Sequence, residues 1–246
     1  MDHLKKIDIV IPCAGIGSRL GVLTKNQTKN MLNINGLSIL EHQLKTLFFY
    51  KKKINKVHFI LGYKSKILKA FILKLKLPFV VKFYINKDYL KSACAISIIP
   101  VIQNLKNSAL FINSDLILKK KKFINILEKK KINFFYCRKP IKNSKTRAVK
   151  ARIYKNKIIK IDILESNFNL DVVGPFKLEL KAIRLLKKLH KSISQKKLLK
   201  MSCYSLFGYL VNEVNFKYGY LNDSDWYEVN TIKEYKNSYK NDIFKI

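Results

Sequence analysis

Apolar residues fall in short, nearly unbroken runs through the first half of the chain, at Ile7 to Pro12, Lys56 to Leu61, Phe79 to Ile85 and Ser108 to Ile112. Runs of that length, closed by Gly, Asn or Asp, predict strands buried on both faces. Between them the apolar positions return at helical spacing. Leu40, Leu44, Leu47 and Phe48 predict a helix from about Ser38 to Tyr50, Ile67, Phe71 and Leu75 predict a second, and about Lys91 to Leu105 a third. Strand and helix in alternation predict an α/β fold, a Rossmann-like mixed and mostly parallel sheet flanked by helices. Ligand sites in such sheets lie beyond the carboxyl ends of the strands. The loop after the first strand, Gly62-Tyr63, Asn86 to Tyr89 and Asp115 all fall there.

After residue 130 the period changes to two, at Ile132 to Cys137 and again at Ala148 to Ile163, with Lys155-Asn156-Lys157 as a hairpin turn. Val172 to Leu178 adds a strand, and Leu180 to Leu189 and Lys197 to Val211 read as helices. The half from about 131 to 246 thus predicts a small α+β acceptor subdomain beside a nucleotide-binding half of about 1 to 130. No linker rich in Pro, Gly or Ser divides them and no internal repeat appears, so residues 1–246 read as a single domain. Near the end, Asp225 to Val229 reads as a loop entering a helix capped at Asn230 or Thr231, with Glu234 completing a capping box.

Composition narrows the class. No apolar run approaches the roughly 20 residues of a membrane span, and the N-terminal apolar stretch reads as a strand, so a cytoplasmic enzyme is expected. Cys13, Cys94, Cys137 and Cys203 are scattered without a C-x-x-C pair, which argues against a zinc site and a disulfide framework and for a reducing compartment. The net charge of +34 raises nucleic acid or an anionic membrane surface as a partner. Only five of the 50 basic residues are Arg, however, among abundant Lys, Ile, Asn, Phe and Tyr. Reading of base edges favours Arg, whose planar fork makes bidentate contacts, so no specific nucleic acid is expected.

The chemistry concentrates in residues 7–32. A strand ending in Ala14-Gly15-x-Gly17-Ser18-Arg19 sets bare backbone N–H groups, a guanidinium and nearby Lys29 around one point, which suits a polyphosphate. Gly15, Gly17 and Gly21 do not make G-x-G-x-x-G, and no Gly-Lys-Ser/Thr closes the loop, which excludes a dinucleotide fingerprint and a P-loop.

The whole run, Ala14 to Gly21, then Leu23-Thr-Lys25, Thr28-Lys29-Asn-Met-Leu-x-Ile-x-Gly36 and Ile39 to Leu44, resembles the sugar nucleotidyltransferase superfamily. With Gly62-Tyr63, Asn86 to Tyr89, Ser97, Asn113-Ser-Asp115, Val173 to Lys177 and Trp226 to Thr231, the resemblance is closest to the bacterial phosphocholine cytidylyltransferase-like branch. That branch also contains enzymes acting on aminoethylphosphonate.

The resemblance implies a fold of the nucleotide-diphospho-sugar transferase type and a Mg2+-dependent transfer from an NTP, CTP in this branch, to a phosphorylated small acceptor such as phosphocholine or a phosphonate. It implies Arg19 and Lys29 as catalytic, and Ala14, Gly15, Gly17, Ser18, Arg19, Asn86 and Ser92 as nucleotide-binding. Glu165, Gly174 and Trp226 fall where the acceptor is contacted, and Asp115 and Asn230 where metal is held, with Glu228, Asp225 or Asp223 as the candidates to supply the charge that Asn230 lacks. Lys25 is a weaker candidate, and a helix N-cap is the rival reading of Asp115. The branch places Asp where this chain has Asn230, and Pro where it has Thr28. A quaternary ammonium would want an aromatic cage, for which Trp226, Tyr227, Tyr204 and Tyr136 with Asp223 or Asp225 are available. The alternatives are a sugar-1-phosphate nucleotidyltransferase using another NTP, and an inactive, basic nucleic-acid-binding or scaffold relative.

Overall fold

The computed structural model describes residues 6–140, 149–155, 157–162 and 167–245. The chain opens with β1 (Ile7–Cys13), a 3-10 segment (Ser18–Thr24), the short pair β2 (Asn33–Ile34) and β3 (Leu37–Ser38), and α1 (Ile39–Phe48). It continues through β4 (Ile54–Leu61), α2 (Ser65–Lys74), β5 (Val80–Ile85), α3 (Cys94–Asn104), β6 (Ala109–Phe111), β7 (Leu116–Leu118) and α4 (Lys120–Glu128). The second half holds β8 (Asn133–Arg138), β9 (Val149–Tyr154), β10 (Lys157–Asp162), β11 (Leu170–Leu178), α5 (Leu180–Leu189), α6 (Gln195–Lys200) and α7 (Cys203–Gly208). It closes with β12 (Phe216–Tyr220), β13 (Trp226–Glu228) and α8 (Ile232–Ser238).

One mixed sheet runs through both halves in the order β10-β9-β11-β6-β1-β4-β5, with β8 paired to β11 and β12. β1 is parallel to β4 and β6, and β4 to β5. β11 turns against that direction, antiparallel to β6, β8 and β9. Both faces are covered. Ile9, Ile11 and Cys13 pack with Leu40 and Leu44 of α1, Leu68 of α2 and Ile126 of α4, whereas Val10 packs with Ile98 of α3, Ile183 of α5 and Phe207 of α7. Two covered faces are the reason β1 lacks polar alternation. A smaller cluster of Leu20, Leu32, Ile34, Ile39, Ile117, Val229 and Phe244 ties the glycine loop to the end of the chain.

Expected elements return with local differences. Ser38 caps α1, accepting from Glu41 N at 3.1 Å while Glu41 Oε2 accepts from Ser38 N at 2.8 Å. Thr231 and Glu234 form the corresponding box on α8. In α2 the buried positions are Leu68 and Ile72 rather than Ile67, Phe71 and Leu75; Ile67 is exposed. The helix expected over Lys197 to Val211 is broken. Met201 is extended and Ser202 caps a new helix by accepting from Ser205 N. The loop expected over Asp225 to Val229 contains β13, antiparallel to β7.

The β9–β10 hairpin forms with Tyr154 opposite Lys157, while Ala148, Asn156 and Ile163 lie outside the described residues. The cysteine expectation is corrected: Cys94 and Cys203 are joined as a disulfide between the starts of α3 and α7, Cα atoms 5.4 Å apart. A separation of 109 residues hid the pairing, which the packing of α3 on α7 creates. Cys13 and Cys137 are free and buried. Among the described residues no helix is long and apolar enough to cross a membrane.

Candidate active site

A cleft of about 250 Å3 opens at the carboxyl ends of β1, β4 and β6, lined by Ala14, Gly15, Gly17, Lys29, Asn86, Ser92, Ser97 and Asp115 among others. The glycine loop forms its floor. Gly17 sits at φ +71°, where a Cβ would come within 3.3 Å of both Lys29 Cβ and Thr24 Cγ2, so a side chain there is both strained and crowded. Space beside Gly15 is open, leaving its backbone bare toward the cleft. Ser18 and Arg19 begin the 3-10 segment and are exposed at the rim.

Tyr63, just past β4, fixes this loop at both ends. Its N–H donates to Ala14 O at 3.0 Å, and its hydroxyl donates toward Thr24 O and Lys25 O at 3.0 and 3.2 Å. Lys25 itself is exposed at the loop's far end.

Five of the expected residues converge at one end of the cleft. Lys29 Nζ lies 2.5 Å from Asp115 Oδ2 and 3.4 Å from Asn230 Oδ1, and Arg19 Nη2 donates to the same amide oxygen at 3.0 Å. Asn230 Nδ2 donates to Glu228 Oε2 at 3.3 Å. The amide thus does what an Asp could not, accepting from two cations on one side and donating to a carboxylate on the other. Burial, and next the charge of Asp115, push the Glu228 carboxyl up to about 8.

Two buried side chains aim Asp115. Gln43 of α1 donates to Asn113 O at 2.7 Å and Leu116 O at 2.9 Å, and Asn30 donates to Ser114 O at 2.9 Å. Neither was singled out in the sequence; polar residues at core-facing positions were the available signal. No helix N-cap follows at Asp115, since the next element is β7.

Asn86 reaches the cleft wall with its amide already engaged. Its Nδ2 donates to Ser92 Oγ and Ser97 Oγ at 2.9 and 2.7 Å, and its Oδ1 accepts from Asp88 N at 3.0 Å. Ser92 donates to Asp88 O. These residues brace the wall; both Nδ2 hydrogens of Asn86 are engaged, while its Oδ1 keeps a second lone pair.

The aromatic cage does not assemble. Tyr136 donates its hydroxyl to Lys122 O, Tyr227 donates to Glu234 O, and Asp225 is held by Asn222 N and Lys122. Asp223 is exposed in the 3-10 turn before β13. Arg138 covers the ring of Trp226 at 5.3 Å. Gly174, at φ +80°, lies beneath Tyr204, whose ring and hydroxyl a Cβ would strike. Glu165 lies outside the described residues.

No magnesium is part of this structure, and among the described residues no three His, Cys, Asp or Glu gather as a metal cluster. The donor set still suits one. Asp115 and Glu228 are two carboxylates close enough to oppose each other's ionisation, and Mg2+ takes one or two carboxylates plus substrate phosphates.

No family model matches the chain. A stretch of 77 residues is 36% identical to the bifunctional protein GlmU of Methanococcus vannielii, spanning 31% of this chain and 18% of that protein. Over nearly the full length, the CTP:phosphocholine cytidylyltransferase of Streptococcus pneumoniae superposes with a TM-score of 0.74 at 20% identity, covering 96% of this chain and 98% of that one. The chain has the sugar nucleotidyltransferase fold. The inositol-1-phosphate CTP transferase of T. maritima has a TM-score of 0.75 at 16% identity, covering 94% and 91%. A UDP-glucose pyrophosphorylase from Acinetobacter baumanii reaches 0.72 at 12%, covering 95% and 92%. The fold expected from the motifs is therefore the fold observed, and the likeness in fold extends over both halves.

Proposed function

We propose that the protein is a magnesium-dependent nucleotidyltransferase that joins an NTP to a phosphorylated small acceptor and releases pyrophosphate. The observation that carries this reading is the convergence of Arg19, Lys29, Asp115, Glu228 and Asn230 at one end of a cleft floored by bare glycine backbone. CTP is the favoured nucleotide, because two of the structural neighbours are CTP-dependent by name. A sugar-1-phosphate nucleotidyltransferase using another NTP is the second reading, supported by the UDP-glucose pyrophosphorylase fold match.

In the transfer, an acceptor phosphate oxygen forms a bond to the α-phosphorus while the α–β bridging P–O bond breaks and pyrophosphate leaves with its electron pair. A phosphomonoester has a second pKa of about 6, so it arrives largely dianionic and needs no general base. The backbone N–H groups of Gly15, Gly17 and Ser18 would receive the triphosphate oxygens. Arg19 and Lys29 would neutralise charge that grows on the leaving group. Asp115 and Glu228, with the Asn230 amide oxygen, would hold magnesium, which supplies charge neutralisation at the phosphates. Lys29, paired with Asp115, stands where its ammonium would meet the phosphates of a bound nucleotide.

The test is pyrophosphate release, with magnesium, across CTP, UTP, dTTP, GTP and ATP against several phosphorylated acceptors. Release dependent on one nucleotide and one acceptor class supports the reading. Silence across the matrix, in the wild type and in Asn230→Asp alike, counts against it.

A further inference from the structure

A second wall, carried by β8, β9, β11 and β13 and outside the residues that line the 250 Å3 cleft, adjoins the phosphate end: Glu228 feels the charge of Arg138, and the Tyr204 hydroxyl feels Glu228 and Asp115. Because β11 runs against β6 with Phe176 opposite Phe111, its first half, Leu170 to Gly174, lies beside the segment that carries Asp115. Across β8, β11 and β9 the register sets Arg138, Asp171 and Lys150 in one row, with Asp171 in the middle. Asp171 is 1% exposed, so its single negative charge is committed to these two neighbours.

It satisfies one of them. Lys150 Nζ is 2.5 Å from Asp171 Oδ1, whereas Arg138 Nε stands 3.5 Å from Oδ2, an ion pair without hydrogen-bond geometry. Among the described residues, no hydrogen bond engages the terminal nitrogens of Arg138. Its guanidinium is instead laid over Trp226, 5.3 Å from the ring centre. The two cations and one carboxylate leave the row net positive.

Two further polar groups on this wall are unpartnered. The hydroxyl of Tyr204, a residue 5% exposed and seated over Gly174, and the Nε1–H of Trp226 are buried with no hydrogen-bond partner among the described residues. Buried polar groups without partners are uncommon and call for a ligand or a water. Trp226 Nε1 can only donate, as can Arg138. A quaternary ammonium offers nothing to accept from these donors, is repelled by Arg138, and finds the face of Trp226 already covered.

We propose that this wall receives the far end of the acceptor and that this end is anionic, a carboxylate or second phosphate seated on Arg138 with Trp226 Nε1 and the Tyr204 hydroxyl as further donors. The inference rests on the nucleotidyltransferase reading for the identity of the ligand as an acceptor. It narrows that reading, since it sets phosphocholine below acceptors with a negatively charged tail. Arg138 and Trp226 are then the residues that set acceptor specificity.

The test measures binding and transfer separately, with the full chain, magnesium and three probes of similar size: phosphocholine, glycerol 3-phosphate and 3-phosphoglycerate. Binding is read by calorimetry with a non-hydrolysable CTP analogue present, and transfer by pyrophosphate release with CTP. A charge-assisted hydrogen bond supports an expectation that 3-phosphoglycerate binds roughly 10- to 100-fold more tightly than the other two. Arg138→Gln should bring the three probes within about threefold of one another. Trp226→Phe, which keeps the ring and removes one donor, should reduce the preference severalfold, and it serves if Arg138→Gln fails to fold.

Preferential, Arg138-dependent binding of 3-phosphoglycerate without pyrophosphate release would leave the anionic wall standing and overturn the transferase reading. Equal or tighter binding of phosphocholine, a preference unaltered in both variants, or no binding of any probe would overturn the proposal. In the first of these cases, release of pyrophosphate with phosphocholine would leave the transferase reading intact.

Discussion

β1 carries a polar cluster at each end, and the two are built on opposite terms. At its start, Asp8 is 2% exposed and accepts from Asn55 Nδ2 at 2.8 Å and Asn107 Nδ2 at 3.3 Å, with His58 Nε2 at 3.6 Å. Burial alone would raise its carboxyl, but His58, Asn55 and Asn107 outweigh it and hold the group below its ordinary value. Beyond the other end, Glu228 is pushed up to about 8 by burial and by Asp115, which the charges of Lys29 and Arg138 only partly offset. The lower cluster gives the Asp8 carboxylate two amide donors from within the chain, with His58 Nε2 near it but outside hydrogen-bond distance. The upper one holds carboxylates that want a cation and cations that want phosphates.

The contrast breaks most severely at Lys29. Lys29→Ala should lower turnover of the folded fraction by roughly 100-fold or more in the pyrophosphate-release assay, with the folded fraction fixed by chemical denaturation. Retained turnover would remove Lys29 from the chemistry.

The opposite pattern is expected at the other end. Asp8→Ala should cost about 2 kcal/mol of stability, because three partners lose a buried charge, with turnover of the folded fraction unchanged. The sign of the pH dependence follows from a lowered folded pKa: the contribution of Asp8 is complete above the unfolded value near 3.8 and is lost as pH falls through the lower folded value. Asp8→Asn should therefore flatten the acid limb of a stability profile in that window, and an unchanged limb would assign it to other carboxylates.

Asn230→Asp sharpens the upper cluster by adding the charge its ligand set lacks. The magnesium concentration for half-maximal activity should fall severalfold, since affinity for hard cations rises with ligand charge. The variant should also be less stable without metal, because Glu228 exchanges an amide donor for a third carboxylate; thermal melts with and without magnesium separate the two effects. The smallest effect is expected at Thr28, whose hydroxyl is buried with no hydrogen-bond partner among the described residues. Thr28→Val should stabilise the protein by about 1 kcal/mol, seen as a rise in Tm of roughly 2–4 °C.

What could be read from the sequence follows the range of the forces involved. β1, β4 and β6 were legible because strands covered on both faces write themselves as apolar runs, and α1 and α8 because their capping residues are local; β5 was legible from its apolar run too, but it is an edge strand with Val80 and Ile85 exposed and not the doubly covered strand expected. β7 and β13 were not. Each is three residues long and exists through the other, across more than a hundred positions of chain. α4 went unread because lysines crowd its first turn and three buried positions, Phe123, Ile126 and Leu127, carry its inward face.

The same division holds in the cleft. Arg19, Lys29, Asp115, Glu228 and Asn230 stood in recognisable motifs and meet in space. Gln43 and Asn30 lay inside the N-terminal motifs as polar residues at core-facing positions, but their partners are distant in sequence, so their part in aiming Asp115 became visible only in the fold. Asn86 was legible as a cleft residue, but the engagement of its amide by Ser92, Ser97 and Asp88 is a property of the folded wall.

Tyr63 gives the glycine loop a history that precedes any ligand. Its N–H and hydroxyl tie Ala14 at one end and Thr24 and Lys25 at the other, so the conformational freedom of that backbone is surrendered when the chain folds and not when a nucleotide arrives. On the proposed function, a triphosphate would meet a receptor already in shape, and its capture should appear in rapid mixing as a single concentration-dependent phase with no slow rearrangement behind it. Tyr63→Phe, which cuts the far tether and spares the near one, would hand part of that ordering back to the encounter and slow it.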